Sequence, residues 1–76
     1  MSENTDAFDG LRLRLALNTV RLRKAKGMTA DKLAVLAGLN PNTLFRIENP
    51  MMGNVSLRTL VQIAKALDVT VQELLS

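Results

Sequence analysis

The 76-residue sequence contains no cysteine, histidine, tyrosine or tryptophan. Without cysteine there is no disulfide and no usual structural zinc site, so nothing in the chain argues for export. The same absences remove most of the side chains that act as nucleophiles or general bases, and no glycine-rich phosphate loop is present. We therefore expect no catalytic residues, no cofactor and no metal.

Aromatic residues make up only 3% of the chain, whereas hydrophobic residues make up 47%. The core must therefore be aliphatic, and the length predicts one domain near the lower limit for folding on a hydrophobic core alone. The sequence has no signal-peptide pattern and no apolar run long enough to span a bilayer. These features predict a cytoplasmic protein with no membrane partner.

Acidic residues are scarce outside the first ten positions, which hold three of the seven acids and no lysine or arginine. All ten basic residues and only four acids lie in residues 11–76, which therefore carry a net charge of +6. A small basic body suits a phosphate-bearing partner, although it can also serve solubility alone. We expect residues 1–9 to form a mobile acidic tail and residues 10–76 to form the single domain.

Residues 29–49 contain two short helical patterns separated by a tight turn. The first pattern begins after Thr29, a good N-cap, and ends at Gly38, since glycine readily adopts the left-handed conformation of a helix C-terminus. Asn40 caps the second pattern, and Pro41 follows at the first helical position, where proline is favoured. Two short helices joined so tightly must cross at a large angle. This geometry is a helix-turn-helix.

Three further helices are predicted around this motif. Helix 1 is predicted over residues 10–26, and its expected core-facing residues are Leu11, Leu15, Thr19 and Leu22. Helix 4 is predicted to begin after Ser56, with an apolar face formed by Leu57, Leu60, Val61, Ile63, Ala64 and Leu67. A capping box of Thr70 and Glu73 predicts a short last helix. The expected fold class is all-α, a compact five-helix domain with the helix-turn-helix at helices 2 and 3.

The sequence resembles the repressor-like helix-turn-helix family, which includes the phage repressors and the Xre-type bacterial regulators. The resemblance covers about residues 15–75. It rests on Arg21-Leu22-Arg23, Gly27, Leu33-Ala34, Gly38, Thr43-Leu44, Arg46-Ile47-Glu48, Ser56-Leu57, Thr59-Leu60, Ile63-Ala64, Ala66-Leu67 and Glu73-Leu74-Leu75. It implies a repressor-like fold and a sequence-specific DNA-binding transcriptional regulator. Because one small domain buries too little surface for high specificity, we expect a homodimer on a two-fold symmetric operator in double-stranded DNA.

The residues expected to contact DNA lie at the start of helix 2 and on the outward face of helix 3. They are Thr29, Ala30, Asn40, Pro41, Asn42, Thr43, Arg46 and Asn49. Asparagine can read adenine and arginine can read guanine in the major groove, each through two hydrogen bonds. Backbone amides at the start of helix 2 can hold a phosphate. Ala30 stands where the family often has a glutamine that grips the DNA backbone, and alanine lacks that contact.

Three other sets of residues carry separate expectations. The resemblance implies a structural ion pair between Arg23 of helix 1 and Glu48 at the end of helix 3. Phe45 is expected to pack at the rim of the core, the alternative being contact with thymine methyl groups. A second apolar stripe on helix 1 is expected to form a dimer or partner interface, unless the N-terminal segment covers it. Its residues are Leu13, Leu17 and Val20.

Small regulators similar to this chain include prophage repressors, restriction–modification controller proteins and antitoxins. The segment Arg21 to Gly27, with the length of helix 1 and the tail before it, resembles the controller proteins, and the sequence leaves all three classes open. The alternative function is a protein-interaction module of the same fold. Its partner would be a toxin or RNA polymerase, and its DNA binding would be secondary. Ala30, Pro41, the loop that contains Met51 and Met52, and the second stripe of helix 1 favour that alternative.

Overall fold

The computed structural model describes residues 3–51 and 53–76, with side chains from Ala7 onward. This part of the chain forms five helices: α1 (Glu3–Ala25), α2 (Ala30–Ala37), α3 (Pro41–Ile47), α4 (Leu57–Leu67) and α5 (Val71–Leu75). It contains no strand, and none of its helices is both long and apolar enough to cross a bilayer. The all-α, five-helix prediction is confirmed.

Helix α1 is longer than the sequence predicted. It begins at Glu3 rather than near Gly10, so most of the segment expected to be a tail is helical, while Met1 and Ser2 lie outside the described residues. Its 23 residues rise by about 35 Å, which accounts for the longest dimension of the molecule, 37 Å.

Packing explains the earlier start of α1. Phe8 lies two turns before Leu15 on the inward face, and together with Leu11, Leu60 and Leu75 it lines an apolar groove of about 140 Å³. A glycine inside a helix, as Gly10 is here, costs about 1 kcal/mol relative to alanine. Phe8 is 41% exposed, and the partial burial of so large an apolar side chain is enough to offset a cost of this size.

The predicted caps are all present. At the starts of α2 to α5 the side chains that accept an amide hydrogen bond are Thr29, Asn40, Ser56 and Thr70. Glu73 completes the capping box by accepting from the Thr70 amide at 3.1 Å. Gly38 ends α2 with φ of +69°, so the turn between α2 and α3 has the backbone conformation that the sequence predicted.

The core lies where α1 meets α3, α4 and α5, and where α2 meets α3 and α4. The largest fully buried side chains are those of Leu33, Leu44, Ile63, Leu67, Leu74 and Thr19. The Thr19 hydroxyl donates to the Leu15 carbonyl at 2.7 Å, so this buried polar group is satisfied. Leu22 is half-buried against the core, whereas Leu11 remains 41% exposed at its edge.

The predicted apolar face of α4 is only partly buried. Leu60, Ile63, Ala64 and Leu67 are buried, but Leu57 is 77% exposed and Val61 46% exposed. Val61 projects well away from the middle of the buried row, and Leu57 lies in the first turn of the helix. The prediction of so wide a buried face was therefore wrong at these two positions.

Candidate nucleic-acid interface

Helix α3 has one buried row and a wide exposed face. Leu44 and Ile47 are 1% and 4% exposed and hold the helix on the core. The exposed residues are Pro41, Asn42, Phe45 and Arg46, with Thr43 half-buried at the edge. Because side chains four apart are neighbours on a helix, this face carries an apolar row, Pro41 and Phe45, beside a polar row, Asn42 and Arg46.

Three of the predicted DNA-contacting residues also cap backbone amides. Thr29 Oγ1 accepts from the Lys32 amide at 3.1 Å, Asn40 Oδ1 from the Asn42 amide at 2.8 Å, and Asn49 Oδ1 from the Met51 amide at 3.1 Å. Each of these side chains can still donate a hydrogen bond, from a hydroxyl or an NH₂ group. Phosphate oxygens accept hydrogen bonds, so these side chains suit the DNA backbone better than a base edge.

Two other predicted contact residues lie nearer the core. Ala30 is half-buried, and its methyl group packs against the core cluster, so only its backbone amide is left to contact a ligand at the start of α2. Thr43 lines a groove of about 160 Å³ between α3 and the start of α4, together with Arg46, Ser56 and Thr59. A guanidinium and three hydroxyl groups therefore meet beside the exposed face of α3.

Phe45 does not pack at the rim of the core, and that prediction was wrong. Its side chain is 64% exposed. The helix has only seven residues, and Leu44 and Ile47 occupy its inward positions. Phe45 follows Leu44 directly, so it is turned about 100° away from it. A large aromatic side chain is thus presented to solvent next to Asn42 and Arg46.

Arg23 and Glu48 form an ion pair between α1 and the C-cap of α3. Arg23 Nε donates to Glu48 Oε2 at 2.7 Å, Nη2 donates to Oε1 at 3.0 Å, and Nη1 donates to the Met28 carbonyl at 3.2 Å. The hydrogen bonds with Glu48 raise the pKa of Arg23, and the opposite charge adds to this, whereas burial acts in the other direction. The two side chains are only 14% and 13% exposed.

Arg12 was not predicted from the sequence as a functional residue, and its side chain is only 4% exposed. Its guanidinium donates to four main-chain carbonyls, those of Arg46, Ile47, Asn49 and Gly53. Burial lowers the pKa of Arg12, but an arginine remains charged in proteins. Its spacing could have revealed that it faces inward, because Arg12 precedes the inward-facing Leu15 and Thr19 by three and seven residues.

Residues 21–74 match the helix-turn-helix family model, which covers most of the chain. The chain is a member of the Xre-type helix-turn-helix family. Members of this family are DNA-binding regulators, so the protein is a DNA-binding regulator.

Two solved structures are similar to this helix-turn-helix protein. The restriction-modification controller protein C.AhdI from Aeromonas hydrophila is 33% identical with a TM-score of 0.76, and the alignment covers 83% of this chain and 94% of that chain. The hypothetical transcription factor NHTF from Neisseria is 31% identical with a TM-score of 0.82, over 90% of this chain and 75% of that chain. No curated protein matches the sequence.

The second stripe of α1 is accessible in this helix-turn-helix protein. Leu13 is 46% exposed and Leu17 is 60% exposed, while Val20 is half-buried. From Glu3 onward the N-terminal segment continues α1 and does not fold back over the stripe. The described residues therefore do not support the alternative in which this segment covers the stripe.

Proposed function

We propose that the protein is a transcriptional controller that binds a two-fold symmetric operator as a homodimer and reads it with α3. The observation that carries this proposal is the exposed face of α3, where Asn42 and Arg46 stand one turn apart while Leu44 anchors the helix from behind. The major groove of B-DNA is wide enough for an α-helix and presents a distinct pattern for each base pair.

Each part of the surface has a role in this proposal. Arg46 reads guanine and Asn42 reads adenine through paired hydrogen bonds. Thr29, Asn40 and Asn49 donate to phosphates on either side of the groove, where the amides at the start of α2 also hold a phosphate. The apolar row beside Asn42 contacts thymine methyl groups.

A dimer supplies the remaining specificity. A helix-turn-helix dimer reads two half-sites about 34 Å apart, one turn of DNA. The stripe of Leu13, Leu17 and Val20, whose two leucines are exposed, is the surface that we assign to the dimer contact, because a symmetric dimer matches a patch with itself. The likeness to C.AhdI across 94% of that chain supports a controller role over that of a prophage repressor or an antitoxin.

The second candidate is a protein-interaction module that holds a toxin or an RNA polymerase subunit. Exposed apolar side chains favour it, since Leu17, Val35 and Leu57 are 60%, 75% and 77% exposed. The response to salt separates the two functions. Affinity for DNA falls steeply with salt because phosphate contacts release counterions, whereas an apolar protein contact barely responds.

The test is selection of duplexes from a randomised pool by the purified protein, followed by affinity measurements on the selected sequence. Asn42→Ala and Arg46→Ala are each expected to cost about 1–3 kcal/mol of specific binding. The matched controls are Gln72→Ala and Lys65→Ala, two exposed positions on α5 and α4. Enrichment of no sequence, or equal binding by all four variants, would refute readout by α3.

A further inference from the structure

The guanidinium of Arg12 joins three elements through main-chain atoms. Nη1 donates to the Ile47 carbonyl at 2.9 Å and Nη2 to the Asn49 carbonyl at 3.1 Å, with the Arg46 carbonyl as a second partner of Nη2. Nε donates to the Gly53 carbonyl at 2.7 Å. One side chain of α1 therefore holds both the last turn of α3 and the segment that leads to α4.

The end of α3 needs such a donor. The last four carbonyls of a helix have no partner within the helix, and the helix dipole makes that end negative. An arginine supplies five donors in a fixed planar arrangement, and its positive charge complements the dipole. Every buried side-chain polar atom in the described part of the chain has a hydrogen-bond partner, so the arrangement is complete.

Arg12 and Arg23 act on the same end of α3. They lie eleven residues apart on α1, which is three turns and about 16 Å, and both face inward. Arg23 holds the side chain of the C-cap residue Glu48, whereas Arg12 holds the backbone on either side of it. A helix of seven residues is too short to be stable alone, so these contacts and the buried row fix its direction.

We propose that Arg12 is a positioning residue for DNA recognition, which orients α3 and holds the carbonyls of Asn49 and Gly53 beside it. The inference rests on the proposed function, in which α3 reads the operator. Arg12 lies nine residues before the segment that matches the family model, so the N-terminal part of α1 acts on the recognition surface through the backbone of α3. A misoriented α3 loses aligned base contacts but keeps the charges that attract any duplex.

The experiment measures the ratio of two affinities for Arg12→Met and Arg12→Lys. The probes are the duplex that the parent protein selects from a randomised pool and a shuffled duplex of the same composition. Methionine keeps an unbranched apolar side chain but has no donor, and lysine keeps the charge but cannot form the planar array of donors. Arg14→Met is the matched control, since it removes the same charge from an exposed position of α1. Arg46→Ala reports on α3 itself.

We expect Arg12→Met to lower the ratio of specific to non-specific affinity about tenfold, the equivalent of one well-aligned base contact. Arg12→Lys is expected to keep the fold and still show a lowered ratio, so it carries the test if Arg12→Met does not fold. Arg14→Met should leave the ratio unchanged. In hydrogen exchange, the amides of Glu48 and Asn49 should exchange faster in both Arg12 variants than in the parent.

Two outcomes overturn the inference in different ways. If both Arg12 variants keep the parent ratio while Arg46→Ala lowers it, Arg12 is merely structural and the proposed function stands. If Arg46→Ala also keeps the parent ratio, the proposal that α3 reads the operator is wrong, and the proposed role of Arg12 is wrong as well.

Discussion

Arg23 and Glu48 meet in a two-point contact, with Nε and Nη2 of the arginine each donating to a different carboxylate oxygen. Paired hydrogen bonds of this kind fix direction as well as distance. Arg23 also donates to the Met28 carbonyl at the junction of α1 and α2. The pair therefore connects the end of α1, the entry to the helix-turn-helix and the C-cap of α3.

Glu48→Ala should leave Arg23 charged and unpaired at a site where it is only 14% exposed. We expect a loss of unfolding free energy on the order of 2 kcal/mol, between the values for exposed pairs and for fully buried pairs. The double variant with Arg23→Ala should cost less than the sum of the single changes. Denaturant titration measures all three, with Asp9→Ala as an exposed acidic control. Additive losses would contradict the coupling.

Gly38 and Asp68 end α2 and α4 in the same left-handed conformation, with φ of +69° and +58°. A side chain at Gly38 is strained there, so Gly38→Ala should destabilise the protein by about 1 kcal/mol. Asp68→Asn should stabilise it by about 0.5 kcal/mol, because asparagine tolerates this conformation and the negative charge leaves a helix C-terminus. Thermal denaturation gives both values, and two changes of the same sign would contradict this account.

Local chemistry made much of this fold predictable. Caps such as Thr29 and stops such as Gly38 act within a few residues, so the sequence shows them directly. The start of α1 was not visible, because Phe8 lines a groove together with Leu60 and Leu75, which lie more than fifty positions away in the sequence. Arg12 was missed for the same reason, since its carbonyl partners lie 34 to 41 positions along the chain.

Phe45 was misplaced because helical spacing alone does not say how much of a seven-residue helix the core covers.

The exposure of Phe45 predicts that its side chain contacts a thymine methyl group in the operator. Replacing thymine by uracil in the selected operator removes a methyl group, and the parent should lose affinity at the contacted position, by about 1 kcal/mol. Phe45→Ala should bind the two duplexes equally. Leu57→Ala, a second exposed apolar position, is the control and should bind the thymine duplex more tightly than the uracil duplex, as the parent does. A preference retained by Phe45→Ala would place the contact elsewhere.

The apolar stripe of α1 gives the last prediction, which concerns assembly. Full burial of a leucine or valine side chain contributes about 1.5–3 kcal/mol, and the stability of a small domain is itself only about 5–15 kcal/mol. Leu13 and Leu17 are 46% and 60% exposed, so a dimer across a two-fold axis beside α1 would recover much of this energy.

Leu17→Glu should therefore give a folded monomer by sedimentation, with weakened operator binding, because two charges facing each other across the axis oppose association. Val35→Glu introduces the same charge at an exposed position of α2 and should remain a dimer. The competing interface lies on α5, where Val71 and Leu75 are half-buried. If Leu17→Glu stays dimeric and Val71→Glu dissociates, the two-fold axis lies beside α5, and the stripe on α1 remains free to contact a different protein.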